Sequence, residues 1–195
     1  MEPILFVHGI GGDERQYKPL IKFLEKKGFN KFYEFRYTSR IGIHPIKVIA
    51  KELAEYINKN IKEENINIIA MSQGGIIALA YLKYYLPIPN GKNLRINKLF
   101  TICSPHKGSK LAKILNLPGI KDLRPKSVLL NDLEEFVKQG HVDLYSVYTP
   151  FDLMVFPGLN AKPIFGKTKM VLAPLHKLAF SWPSTKKFVL ENLKR

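Results

Sequence analysis

Cysteine is almost absent from this chain, which contains only Cys103. An intramolecular disulfide and an all-cysteine metal site are therefore both excluded. Long apolar runs are missing as well, since none approaches the roughly 20 residues that a membrane-spanning helix needs. The first residues run straight into an apolar stretch, without the charged segment, long apolar segment and small-residue cleavage site of a secretion signal. From these absences we expect a cytoplasmic protein.

Acidic residues are scarce, with 16 Asp and Glu against 31 Lys and Arg, for a net charge of +15. Such an excess suits nucleic acid or an anionic membrane surface. However, 25 of the 31 basic residues are lysines spread along the chain, without clustered arginine or a nucleic-acid-binding motif. The pattern does not predict a nucleic-acid partner, and it leaves a weak attraction to an anionic membrane surface open.

Short β-branched or aromatic runs alternate with longer segments of helical period, and the 195 residues suit one domain covering 1–195. The pattern predicts strands over residues 4–7, 31–35, 66–70, 98–102, 144–148 and 168–172. Helices are predicted over residues 17–27, 45–60, 73–85, 126–139 and 184–193. Strands separated by helix-length connections favour an α/β fold, in which helices cover both faces of a parallel sheet.

One connection is much longer than a single crossover requires. About forty residues separate the fourth and fifth predicted strands, and three prolines interrupt them, Pro105, Pro118 and Pro125. A short helix over residues 109–115 is compatible with this segment. Residues 104–142 therefore form either a small cap or lid over a site or two surface helices.

Ser72 lies between a predicted buried strand and a predicted helix, in the run Ala70-Met71-Ser72-Gln73-Gly74. A nucleophile on a sharp strand-to-helix turn has a strained backbone and needs small residues two positions away on each side. The helix that follows directs backbone N–H groups at charge that develops there. The alternative is a serine that only caps a helix.

A glycine-rich loop follows the first strand, with the sequence His8-Gly9-Ile10-Gly11-Gly12. Glycines there let the backbone approach a substrate and leave an N–H free for an oxyanion. The spacing matches neither of the two common phosphate-binding patterns. We interpret His8 as a structural residue rather than as a general base.

These two segments together resemble the oxyanion loop and nucleophile elbow of α/β-hydrolase lipases and esterases, especially bacterial lipases with alanine at the first glycine of the elbow. The run from Cys103 to Ser109 is similar to the Pro-His-x-Gly-Ser segment of many such lipases, and the run from Tyr148 to Val155 is similar to their acid-bearing segment. The resemblance implies an α/β-hydrolase fold with six strands in the order 2-1-3-4-5-6. It also implies that the backbone N–H groups of Ile10 and Gln73 form the oxyanion hole.

In this fold the triad follows the chain order Ser, acid, His. Among the histidines that follow Ser72 and the lipase-like segment, His141 precedes a strand, whereas His176 follows the last one. Asp152 follows the fifth strand, at the edge where α/β sheets gather their sites. Alternatives for the acid are Asp122 and Asp132 in the long connection. A calcium-binding role for Asp152 lacks neighbouring carboxylates, and a nucleophilic role for Cys103 competes with simple burial.

The interpretation is a serine carboxylic ester hydrolase, an esterase or lipase with the triad Ser72, Asp152 and His176. His176 takes the serine proton and Asp152 orients the imidazole, so that neither a metal nor an organic cofactor is required. The expected partner is a small acyl ester, including lipids. A thioesterase or acyltransferase with the same triad and a non-catalytic ligand-binding relative are the alternatives. The residues expected to contact substrate are Gly9, Gly11, Met71, Phe151, Leu153 and Leu175.

Overall fold

The computed structural model describes residues 1–12, 14–37, 42–86 and 94–194. Its centre is a sheet of six strands that are all parallel, in the order β2-β1-β3-β4-β5-β6. This is the predicted strand order. The strands are β1 (Ile4–Val7), β2 (Phe32–Phe35), β3 (Asn65–Met71), β4 (Arg95–Ile102), β5 (Leu144–Tyr148) and β6 (Lys167–Met170).

Helices cover both faces of the sheet. They are α1 (Lys18–Glu25), α2 (Ile46–Asn60), α3 (Gln73–Tyr85), α4 (Pro118–Lys121), α5 (Val128–Lys138), α6 (Leu178–Ser181) and α7 (Pro183–Leu193). Short 3₁₀ turns occur at Glu14–Gln16, Lys110–Lys113 and Gly158–Ala161. The five long helices predicted from sequence period all form, with ends that shift by one or two residues.

The core is divided between the two faces because successive residues of a strand point to opposite sides. In β1, Leu5 and Val7 pack into the cluster under α2, α3 and α5, whereas Ile4 and Phe6 pack into the cluster under α1, α6 and α7. The first ten residues of α3 are all buried. This helix is apolar on every side, as expected for one enclosed by protein.

The carboxyl ends of the strands meet at one edge of the sheet because every strand runs in the same direction. The loop after β1, the turn after β3 and the loop after β5 all leave from this edge. The residues singled out in these segments are therefore brought together by the topology alone.

The long connection at residues 104–142 has two parts. The first contains the Lys110–Lys113 turn and α4, and the second is α5, which packs against α3. The expected helix over residues 109–115 is only the short 3₁₀ turn. Across the described parts of the chain, no helix combines the length and apolar character needed to cross a bilayer.

The core packing of α2 generates a prediction about stability. Leu53 is fully buried, whereas Val48 on the same helix is 44% exposed. Leu53→Ala should lower the free energy of unfolding by about 2–5 kcal/mol, because it removes buried methylene groups and leaves a cavity. Chemical denaturation measures the change, with Val48→Ala as the matched control, expected within about 0.5 kcal/mol of the parent. Equal effects of the two substitutions would contradict the assigned orientation of α2.

Candidate active site

Ser72 occupies a strained turn between β3 and α3. Its backbone has φ 53° and ψ −127°, in the positive-φ region that side chains other than glycine rarely adopt. The Ser72 amide donates to the carbonyl of Ile102 in the neighbouring strand at 2.8 Å, which holds the turn in place. Strain of this kind costs on the order of 1–3 kcal/mol and is concentrated at functional sites.

The residues around the turn must be small because neighbouring atoms leave no space for a side chain, and not only because glycine tolerates unusual backbone angles. A Cβ on Gly9 would lie 2.7 Å from the Ser72 Cβ, so the loop after β1 passes directly against the serine. A Cβ on Gly74 would lie 2.4 Å from the carbonyl oxygen of Val7, where α3 packs against the end of β1. Ala70, in contrast, is a buried strand residue that pairs with Val7, and its methyl group is accommodated.

Asp152 and His176 form a buried pair on two neighbouring loops. His176 Nδ1 donates to Asp152 Oδ2 at 2.7 Å, and the two residues are 9% and 1% exposed. Asp152 Oδ1 accepts the backbone N–H groups of Met154 and Val155 at 2.8 and 2.9 Å. Because the carboxylate is fixed by three donors, it holds the imidazole in the tautomer that leaves Nε2 available as a base.

Cys103 lies beside this pair. Its Sγ, an Asp152 oxygen and a His176 ring nitrogen all lie within 4.8 Å of one another, and these are the donor types that bind zinc. Burial and the neighbouring Asp152 carboxylate raise the pKa of the Cys103 thiol well above its usual value. The sulfur is therefore a neutral thiol rather than the thiolate that nucleophilic attack needs, and Asp152 Oδ2 and His176 Nδ1 are bonded to each other. The arrangement fits a supported Asp–His pair better than a metal site.

Ser72 and His176 both line one cavity of about 260 Å³. Its walls are mostly aliphatic, and the first part of the long connection supplies seven of the sixteen lining residues. The apolar lining comprises Ile10, Met71, Leu111, Ala112, Leu115, Ile120, Leu123, Met154 and Val155. Such a lining is suited to a flexible hydrocarbon chain.

The loop after β1 and the start of α3 are joined by Tyr37, a buried residue just after β2. Its hydroxyl donates to the His8 carbonyl oxygen at 3.1 Å and lies 3.2 Å from Gln73 Oε1. Its ring stacks on the His8 imidazole with 4.2 Å between centroids. His8 Nδ1 in turn lies 2.8 Å from the Gly9 carbonyl oxygen. Tyr37 thus connects the two segments whose N–H groups are the predicted oxyanion donors.

The predicted oxyanion residues belong to two segments, the loop after β1 and the start of α3. Gln73 is the first residue of α3, and the N–H groups of a helix's first turn have no partner within the helix. Ile10 lines the cavity beside Ser72.

The predicted substrate-contacting residues are divided. Gly9 and Met71 line the cavity. Gly11, at φ 61°, belongs to the turn of the loop. The other three, Phe151, Leu153 and Leu175, are at least 54% exposed and lie outside the cavity lining.

The residues considered as alternatives to Asp152 and His176 have structural partners elsewhere. Asp122 caps α2 by accepting the Ile46 amide, and Asp132 pairs with Lys83. His141 is exposed and contacts Gln139. Burial lowers the pKa of His106 to about 3, which keeps this ring neutral against Thr101.

Sequence reasoning missed two groups at the site. No sequence motif points to Tyr37, because in the sequence a single tyrosine after a strand cannot be distinguished from an ordinary core residue. The residues of the long connection that line the cavity are apolar, but their spacing follows no helix or strand period that would predict which of them form the cavity wall. Only the three-dimensional packing identifies them.

The position of Tyr37 generates a prediction about rate. Tyr37→Phe removes the hydroxyl that joins the loop after β1 to α3 but leaves the ring stack intact. We expect kcat for a nitrophenyl ester to fall about five- to tenfold, with KM changed less than about twofold, since about 1 kcal/mol of positioning is lost. Tyr33→Phe is the matched control because its hydroxyl bonds Glu63 away from the site. An unchanged kcat in Tyr37→Phe would exclude this positioning role.

Solved structures similar to this one include a lipase and a phospholipase, at sequence identities that establish the fold alone. Aspergillus fumigatus lipase B is 15% identical, with a TM-score of 0.79 over 100% of this chain and 52% of the lipase. The ydeN gene product of Bacillus subtilis is 14% identical, with a TM-score of 0.71 over the whole of both chains. Legionella pneumophila phospholipase PlaB is 18% identical, with a TM-score of 0.62 over 76% of this chain and 39% of PlaB. The chain thus spans well under two thirds of PlaB and of the fungal lipase, and its fold is the predicted α/β-hydrolase fold.

No curated protein sequence matches the chain. The family model described as palmitoyl protein thioesterase matches residues 3–150, from β1 through the end of β5. The match includes the loop after β1, the elbow at Ser72 and the long connection that lines the cavity. The chain belongs to the palmitoyl protein thioesterase family.

Proposed function

We propose that this protein is a serine hydrolase that cleaves acyl esters, with Ser72 as nucleophile, His176 as general base and Asp152 as the residue that orients His176. The observation that carries the proposal is the combination at one cavity of a serine in a strained turn with a histidine bonded to a buried carboxylate at 2.7 Å. A serine or a histidine found alone would not support the proposal, because the chemistry needs both groups at the same cavity.

The chemistry follows from the roles of these groups. His176 Nε2 removes the Ser72 proton as the oxygen attacks the acyl carbonyl carbon, and Asp152 stabilises the imidazolium that forms. The N–H groups of Ile10 and Gln73 receive the oxyanion of the tetrahedral intermediate. His176 then gives the proton to the departing alcohol or thiol, which leaves an acyl group on Ser72. A water, deprotonated by His176, releases the acid and restores the serine.

The apolar cavity supports an acyl chain as the bound part of the substrate. Each methylene that is buried contributes about 0.8 kcal/mol, which corresponds to about a fourfold gain in kcat/KM. We propose that activity rises with chain length until the chain fills the cavity.

A thioester is the second candidate, and the family match favours it. The triad accepts both leaving groups, because a thiolate departs at least as readily as an alkoxide. The single cysteine of this chain is fully buried, so that a thiol-detecting dye reports the released product with little background.

The test compares oxyesters and thioesters that share the same acyl groups, from two to sixteen carbons. Nitrophenyl esters report the first series, and N-acetylcysteamine thioesters with a thiol-detecting dye report the second. Ser72→Ala, Asp152→Ala and His176→Ala should each lower kcat by about a thousandfold or more.

Two matched controls separate the triad from general damage. Asp143→Asn alters a carboxylate at the opposite edge of the sheet, and His141→Gln alters an exposed imidazole. Both should stay within about twofold of the parent. Full activity in any triad variant would contradict the assigned roles, and the ratio between the two series decides between ester and thioester.

A further inference from the structure

Two segments that line the cavity also carry exposed apolar side chains. We call this set the mouth face, and it consists of Leu111, Ile114, Leu115, Leu153, Met154 and Phe156. Their exposed fractions run from 41% for Leu111 to 75% for Ile114. A group of large apolar side chains held in water is a feature that monomeric proteins usually avoid, and it marks an interaction surface.

The two segments form one surface because the backbone joins them. The Lys110 amide donates to the Phe156 carbonyl oxygen at 2.8 Å. Ser109 Oγ donates to the Met154 carbonyl oxygen at 2.9 Å and accepts the Phe156 amide at 3.0 Å. Leu111, Leu115 and Met154 also line the same cavity. The mouth face is therefore one surface that shares three residues with the cavity lining.

The charge of these segments is of one sign. Residues 103–121 and 153–190 contain ten lysines and neither aspartate nor glutamate, although the chain has 16 acidic residues. Lys110 and Lys113 alternate with the apolar residues of the 3₁₀ turn, and Lys177 lines the cavity. All three are exposed. About two thirds of the net charge of +15 thus comes from 57 residues that include the mouth face.

We infer that the mouth face docks on the surface of an anionic phospholipid bilayer. Apolar side chains enter the boundary between headgroups and acyl chains, while lysines beside them reach lipid phosphates. Both features are needed, because a charged patch alone binds any polyanion and an apolar patch alone has no preference for anionic lipid. An acidic protein would pair with the lysines, but its charged surface would leave the apolar side chains of the mouth face uncovered.

Docking in this orientation places the cavity entrance against the lipid. An acyl chain could then pass from the bilayer to Ser72 without crossing water. The docking itself requires no turnover, and it is tested with the inactive Ser72→Ala protein as well as the parent. Failure of docking is thus distinguishable from failure of the proposed hydrolase function.

The experiment is cosedimentation of the full chain with vesicles of phosphatidylcholine alone and with 30% phosphatidylglycerol. We expect binding to the anionic vesicles to be at least tenfold tighter than to neutral ones, and to weaken at high salt. Lys110→Gln with Lys113→Gln should weaken anionic binding about twenty-fivefold, at about fivefold for each lysine. Ile114→Ser with Leu153→Ser should weaken it at least tenfold.

The controls are matched changes on α2, which contributes no residue to the mouth face or to the cavity lining. Lys51→Gln with Lys59→Gln removes the same amount of positive charge as the Lys110 and Lys113 changes. Val48→Ser replaces an exposed apolar side chain with serine, as the Ile114 and Leu153 changes do. Binding of both control proteins is expected within about twofold of the parent. Equal binding to both vesicle types, or equal losses in the mouth-face and α2 variants, would overturn the proposal. Binding to polyglutamate without binding to anionic vesicles would also overturn it, in favour of an acidic protein.

Discussion

The turn at Ser72 is packed tightly between the ends of β1 and β4, and the arrangement of the site depends on this close packing. The Ser72 amide is held by the carbonyl of Ile102 on one side, while Gly9 on the other side lies too close to accept a side chain. Gly74 extends the same close approach to the end of β1. The positive φ of Ser72 is sustained because these contacts leave the chain no room to relax.

A buried carboxylate is costly unless its oxygens are satisfied, and Asp152 shows how the fold meets that requirement. Two backbone amides and the His176 ring donate to it, and the Cys103 thiol lies beside it. All of these donors except the histidine come from segments that directly follow β4 or β5. The parallel sheet therefore positions the acid and the histidine through the same edge that positions the serine.

The strand order followed from the resemblance to α/β-hydrolase lipases and esterases, whereas residue pattern was sufficient for the alternation of strands and helices and for the segments that meet at the edge of the sheet. Each of these follows from a local signal, such as the small residues around Ser72 or the aspartate placed after β5. Element ends were less predictable: β4 begins at Arg95 rather than at Lys98, because polar residues at the sheet margin can still pair with β3. Tyr37 and the cavity wall contributed by the long connection could not be predicted, since their roles depend on contacts between distant segments. Phe151, Leu153 and Leu175 are exposed outside the cavity lining, because an apolar side chain next to a predicted triad residue does not by itself distinguish cavity from surface.

The central claim is that Ser72 is an activated nucleophile, and covalent labelling with a fluorophosphonate tests it without assuming a substrate. We expect one adduct per chain, mapped by peptide mass spectrometry to Ser72. We also expect no adduct in Ser72→Ala and labelling slowed at least a hundredfold in His176→Ala, because the probe requires the deprotonated serine oxygen. A folded parent protein that takes no label, or that carries the label on another residue, would contradict the account.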